Sequence, residues 1–201
     1  LNDAPTLTNS VTDQSIDEDS AFSFAIPANI FNDEDGDTLT YSATLSDGSA
    51  LPSWLSFDAA TQIFTGTPLN ADVGSISIQI TATDAVGVAI SDAFVISVAN
   101  TNDAPTLANA LADQSVDEDS AFSFTVPVDT FNDEDGDTLT YSATLGDGSA
   151  LPAWLSFDSA TQTLTGTPLN AAVGSISIQI TATDAAGVAI SDSFAIAVAN
   201  T

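Results

Sequence analysis

Residues 75 to 83 alternate strictly, Ser-Ile-Ser-Ile-Gln-Ile-Thr-Ala-Thr. A period of two puts Ile76, Ile78 and Ile80 on one face and Ser77, Gln79 and Thr81 on the other, the mark of a β-strand with one buried face. Phe94, Ile96 and Val98 repeat that alternation in a last strand. Shorter candidates lie at Leu7 with the 11–16 region, at 22–26, 39–43, 54–57 and 63–65, separated by Asp-Gly, Pro and Gly. Nothing carries the 3.6-residue apolar period of a useful helix. In Leu-Pro-x-Trp-Leu-x-Phe, alternation is read as placing Trp54 and Phe57 on one face and Leu55 on the other, with Trp54 and Trp154 more at home in a core than on a sugar-stacking platform.

The whole pattern occurs twice. Residues 1–100 and 101–200 are identical at 79 of 100 positions, and Phe31 to Thr40 recurs unchanged at Phe131 to Thr140. The most divergent stretch is 25–30 against 125–130. About seven short strands per hundred residues predicts an all-β chain of two tandem antiparallel β-sandwich domains, 1–100 and 101–201. The linker between them, Ala99 to Pro105, is short and has no Gly, so it restricts orientation. The chain opens on Leu1 and not on Met, and is read as a piece of a longer tandem array that holds its targeting and anchoring signals elsewhere.

Composition narrows the function. The chain has 28 Asp and Glu and no Lys, Arg, His, Cys or Met, for a formal charge of −28. Without cations it cannot neutralise phosphates, so nucleic acid is excluded as a partner. There is no Ser/His or Cys/His pair and no imidazole or thiolate for zinc or iron, which leaves carboxylates as the only catalytic groups. A glycosidase pair of carboxylates is disfavoured because no long insertions build a cleft, so the chain is read as not an enzyme. No apolar run approaches the length of a membrane span. With 44% hydrophobic residues the chain can still build a core.

The acids are clustered. Each copy carries them at Asp17-Glu18-Asp19, at Asp33-Glu34-Asp35-Gly36-Asp37, at Asp84 after the longest strand, and at Asn2-Asp3; the second copy repeats each cluster 100 residues on. Like charges in contact repel by about 1 kcal/mol per pair in water and by more in a partly dry loop. With no basic residue available, each crowded carboxylate needs a backbone donor, a hydroxyl, an amide or a bound cation. A hard cation with oxygen ligands fits, and calcium fits best. The Asp33-x-Asp35-x-Asp37 run is not an EF-hand loop, because Thr38 and Thr44 stand where that loop needs Gly and Glu. A site must therefore be assembled from loops distant in sequence.

Asn102-Asp103-x-Pro105 opening a repeat, the acidic pair before the second strand, Asp-x-Asp ahead of Leu-Thr-Tyr-Ser, and the Thr-Ala-Thr-Asp turn together resemble cadherin-type repeats. LPSWLSFD, FTGTPLN and TATDAVG are closer to the bacterial dystroglycan-type cadherin-like subgroup than to animal cadherins. The resemblance implies a cadherin/Ig-like sandwich in which calcium stiffens the junction between successive repeats. By position it implies ligands Glu18, Asp84 and Asp72 from the first copy, Asn100, the carbonyl of Thr101, Asn102 and Asp103 from the linker, and Asp133, Asp135 and Asp184 from the second copy. A partial site from Asn2, Asp3, Asp33, Asp35 and Asp84 is implied at the N-terminal end, which leaves Asp84 with two assignments. Asn100 stands for an acidic ligand, and Ala172 for Asp72. Fewer charged ligands imply fewer than three tight ions and weak, extracellular-range affinity of about 10⁻⁴ to 10⁻³ M. The implied function is calcium-rigidified extension or adhesion repeats of a large bacterial surface or secreted protein, with calcium and neighbouring repeats as partners. The alternative is a calcium-dependent module binding polysaccharide or an identical repeat.

Overall fold

In the computed structural model, which describes residues 2–201, the chain divides into two compact units, Leu1–Thr101 and Asn102–Thr201. Each has its own apolar core. The first repeat runs β1 (Thr6–Leu7), β2 (Gln14–Asp17), β3 (Phe22–Ala25), β4 (Phe31–Asn32), β5 (Thr40–Leu45), β6 (Leu55–Asp58), β7 (Ile63–Gly66), a 3-10 turn at Asn70–Asp72, β8 (Gly74–Thr83) and β9 (Ala89–Ala99). The second repeats this series from β10 (Thr106–Leu107) to β17 (Gly174–Thr183) and β18 (Ala189–Ala199).

Two sheets form each sandwich. One is four-stranded, β2-β9-β8-β5, and the other three-stranded, β3-β7-β6. These are the seven strands the sequence predicts. A two-residue pair, β1 with β4, adds to them; β4 is too short for any period to show. The antiparallel expectation holds for every pairing except one in each repeat: β2 and β9 run parallel from Gln14↔Ile96 to Asp17↔Ala99, and the second repeat does the same from Gln114↔Ile196 to Asp117↔Ala199. The first long strand thus lies along the last, and the chain leaves the repeat beside Asp17 and Glu18.

The alternation in β8 is realised: Ile78, Ile80 and Ala82 are buried and the intervening residues are not. Phe94, Ile96 and Val98 of β9 face the same core. In β6 the expected faces are corrected, because Leu55 is buried and Phe57 half-buried on one face, with Ser56 and Asp58 exposed on the other. Trp54 precedes the strand, so its alternation does not govern it. It is half-buried against the core, edge-on to Phe22 with ring centroids 6.4 Å apart. The backbone beside it leaves no room: a Cβ on Gly66 would lie 2.0 Å from the Trp54 carbonyl oxygen, so only glycine fits there.

Candidate metal centre

Each repeat gathers acids at two ends. At the leading end, where the chain comes in, the Asn2 amide donates to Asp84 Oδ2 at 3.0 Å and the Asp3 N–H donates to Asp35 Oδ2 at 2.7 Å. Of the two assignments open to Asp84, this contact joins it to Asn2 and the leading end. Its other oxygen accepts from the Val86 and Val88 N–H groups in the β8–β9 turn. Asp33 Oδ1 accepts from the Asp35 and Asp37 N–H groups. The second repeat does the same. Asn102 donates to Asp184 at 2.9 Å, Asp103 N–H to Asp135 at 2.6 Å, and Asp137 N–H to Asp133. The Asp103 and Asp135 carboxylates bring oxygens within 4.8 Å of each other.

These bonds favour the ionised form. The Asn2 amide, with the Val88, Val86 and Gly87 N–H groups behind it, holds Asp84 below the ordinary carboxylate range, against an opposing effect of burial. Asn102 and the β17–β18 turn do the same for Asp184.

At the trailing end, Glu18 follows directly on β2. Its N–H donates to the Ala99 carbonyl at 3.0 Å, and Glu18 Oε1 accepts from the Thr101 N–H at 2.8 Å. The side chain is 1% exposed, yet Oε2 has no hydrogen-bond partner. Asn100 turns its amide onto the Thr101 carbonyl at 3.5 Å. Asp72 serves its own 3-10 turn, accepting from the Leu69 N–H at 3.0 Å.

Among the described residues, four buried carboxylate oxygens are left without partners: Glu18 Oε2, Asp33 Oδ2, Glu118 Oε2 and Asp133 Oδ2. They occupy equivalent places in the two repeats. A buried anionic oxygen with no donor is costly, and among the described residues no cationic side chain exists to meet it. An all-oxygen donor set with unmet negative charge fits calcium.

Sequence reasoning placed Glu118 and Asp137 in acidic clusters but gave them no role in a site, and it passed over Asp13 and Asp92. Glu118, whose Oε1 accepts from Thr201 N–H at 3.1 Å, repeats the role of Glu18, and the 100-residue period is the signal that finds it. Asp137 accepts from Ala185 N–H. Asp13 and Asp92 lie outside the clusters and tie the N-terminal segment to β9, accepting from Val95 N–H at 2.8 Å and Val11 N–H at 2.6 Å.

The fold defines tandem Ig-like β-sandwich repeats with acid-rich ends. The chain belongs to the Ig family described as "Putative Ig domain", whose model matches residues 4–99 and 104–199. It is 35% identical over 139 residues to the "Serine-rich adhesin for platelets" of Staphylococcus aureus (strain USA300), a match covering 69% of this chain and 6% of the adhesin. The chain thus spans a small fraction of the length of the curated relatives it matches. Its fold is that of cadherin ectodomains. Drosophila N-cadherin EC1-4 superimposes with a TM-score of 0.66 at 16% identity, over 99% of this chain and 50% of that one. Mouse Cadherin-23 EC22-24 gives 0.61 at 19% identity, over 100% and 65%. No helix among the described residues is long and apolar enough to cross a membrane.

Proposed function

We propose that these are calcium-rigidified extension or adhesion repeats of a large bacterial surface or secreted protein, of the bacterial cadherin-like kind. Glu18 carries this reading. A fully buried carboxylate with one oxygen on the linker N–H and the other unmatched is costly, and a cation that completes it removes that cost. Thr101, which Glu18 holds, is bonded directly to Asn102, which Asp184 holds. On this reading the donors Glu18, Asn100 and the Thr101 carbonyl, and the donors Asn102, Asp103, Asp133, Asp135 and Asp184, are the ones that calcium draws on. A calcium ion drawing on both sets offsets their repulsion and turns a hinged linker into a stiff one. Asn2, Asp3, Asp33, Asp35 and Asp84 form the same half-site at the leading end of the first repeat. The likeness to an adhesin supports placement at the cell surface, where neighbouring repeats and calcium are the partners.

Thermal melting and small-angle scattering, each in calcium and in chelator, test this. Chelation lowers the melting temperature and broadens the distribution of distances between repeats, and Asp103→Ala in calcium does much the same. The proposal fails if neither measurement responds to calcium.

A further inference from the structure

Both repeats leave the same strand at one edge of the four-stranded sheet: β5 in the first and β14 (Thr140–Leu145) in the second, each paired only with the long strand beside it. Sheet edges in native proteins are blunted by charge, proline or shortness. The other edge strands of the second repeat's two main sheets follow that rule. β11 (Gln114–Asp117) ends in Asp117, β15 (Leu155–Asp158) ends in Asp158, and β12 (Phe122–Thr125) runs into Pro127 two residues on. β14 breaks it, being six residues long where those are four, with no acid and no proline. Its outward groups can be read from its last residue. The Gly146 N–H bonds to the Ser177 carbonyl of β17 at 2.9 Å, whereas the Leu145 N–H bonds away from β17, to the Ser149 carbonyl of its own turn, also at 2.9 Å. Alternation then turns the N–H and C=O groups of Ala143 and Tyr141 outward as well, where no strand of the described residues meets them. At the end of this edge lies a notch of about 500 Å³ lined by Leu145, Gly146, Asp147, Ile176 and Ser177. The first repeat has Ser46 in place of Gly146, its hydroxyl 2.6 Å from that of Ser77. Asp147 is exposed on the notch, with Oδ1 held by the Ser149 N–H and hydroxyl.

We infer that the β14 edge receives an extended segment of another protein, with Lys or Arg at its ends and uncharged residues between, added as a further antiparallel strand. Outward N–H and C=O groups at a sheet edge are met by another strand. Charge decides whose strand it is. Two copies of this chain, paired so that Tyr141 of each meets Ala143 of the other, carry Asp137 of each toward Asp147 of the other. That sets acid against acid at both ends, and the chain has no base to relieve it. A segment with a basic residue at each end turns both repulsions into attractions, and the residue beside Asp147 lays its aliphatic stem in the notch. The inference goes beyond the calcium reading and uses none of the donors named for the ion.

A fluorescently labelled peptide, Lys-Thr-Val-Thr-Val-Thr-Val-Thr-Lys, titrated with the full chain by anisotropy in calcium and about 0.15 M salt, tests the inference, with amide NMR of the chain alongside. Binding is expected to shift the Tyr141 and Ala143 amides. Asp147→Asn keeps an acceptor for Ser149 and is expected to weaken binding about fivefold, the worth of one charge pair in water. Gly146→Ser, which installs the residue of the first repeat, is expected to weaken it about fourfold, the worth of one buried methylene. An acidic chain attracts any cationic peptide, so the same peptide is also N-methylated on alternate amides. Methylation at one parity is expected to abolish binding and at the other to spare it. No binding, equal binding at both parities, or binding that ignores both variants overturns the inference, reducing any attraction to diffuse charge. Concentration-dependent shifts of the Tyr141 and Ala143 amides without peptide overturn it too, by identifying a second copy as the occupant.

Discussion

Glu18→Gln keeps the shape of the side chain and the acceptor for the Thr101 N–H while removing the charge, and its effect should change sign with calcium. Glu18 is 1% exposed with Oε2 unpartnered. A buried polar group without a partner costs about 1–3 kcal/mol, and more when ionised. In chelator the neutral amide is therefore expected to stabilise the first repeat by about 1 kcal/mol or more, a rise of about 4–8 °C in Tm per kcal/mol for a domain of this size. In calcium the balance reverses. A site of about 10⁻⁴ M affinity in hundredfold excess of ion contributes about 2.7 kcal/mol, and the amide forfeits much of it. Scanning calorimetry resolves the transitions of the two repeats, which need not melt together. Glu118→Gln is the matched change in the second repeat. A shift of the same sign in calcium and in chelator refutes the reasoning.

Gly66→Ala is expected to destabilise the first repeat by about 1–3 kcal/mol or more in urea unfolding, because the added methyl falls on the Trp54 carbonyl. Gly36→Ala, at a leading-end turn with open space but a φ of +78°, is expected to cost less, about 1 kcal/mol. For pH dependence, Asp58 accepts from the Thr61 and Ala60 N–H groups, which hold it below the ordinary value of 3.8. A lowered folded value means its contribution is complete above the unfolded value and is lost as pH falls through the folded one. The stability gap between the protein and Asp58→Asn should accordingly narrow below about pH 3.8, and the Asp58 carboxyl carbon should titrate below that value by NMR.

Strand existence was legible where alternation was long. Ser75 to Thr83 identifies a face because every second residue is apolar, and the buried Ile78 and Ile80 follow from that alone. The parallel pairing of β2 with β9 was not legible, since periodicity says which face a strand buries and nothing about its neighbours. Trp54 was legible as a core residue, but Phe57 was set opposite Leu55, whereas a period of two puts residues 55 and 57 on one face. For the candidate site, the acids and the lack of any counter-charge pointed to oxygen ligation. The partners of those acids were less visible: Asn2 meets Asp84 across 82 residues, and no local pattern encodes that. Asp13 and Asp92 carried no signal in the sequence because backbone N–H groups, which every sequence has, are what they bind.

The parallel pairing has a mechanical consequence. Tension enters the first repeat upstream of β2 and leaves it downstream of β9, and the two strands point the same way from Gln14↔Ile96 to Asp17↔Ala99. Pulling the ends apart slides one strand lengthwise along the other, so the bonds of this ladder resist together; an antiparallel pair gripped at one end would open them one at a time. Asp13 and Asp92 add two side-chain clasps across the same seam. Each repeat is thus closed at the seam where a stretched chain would first try to open it.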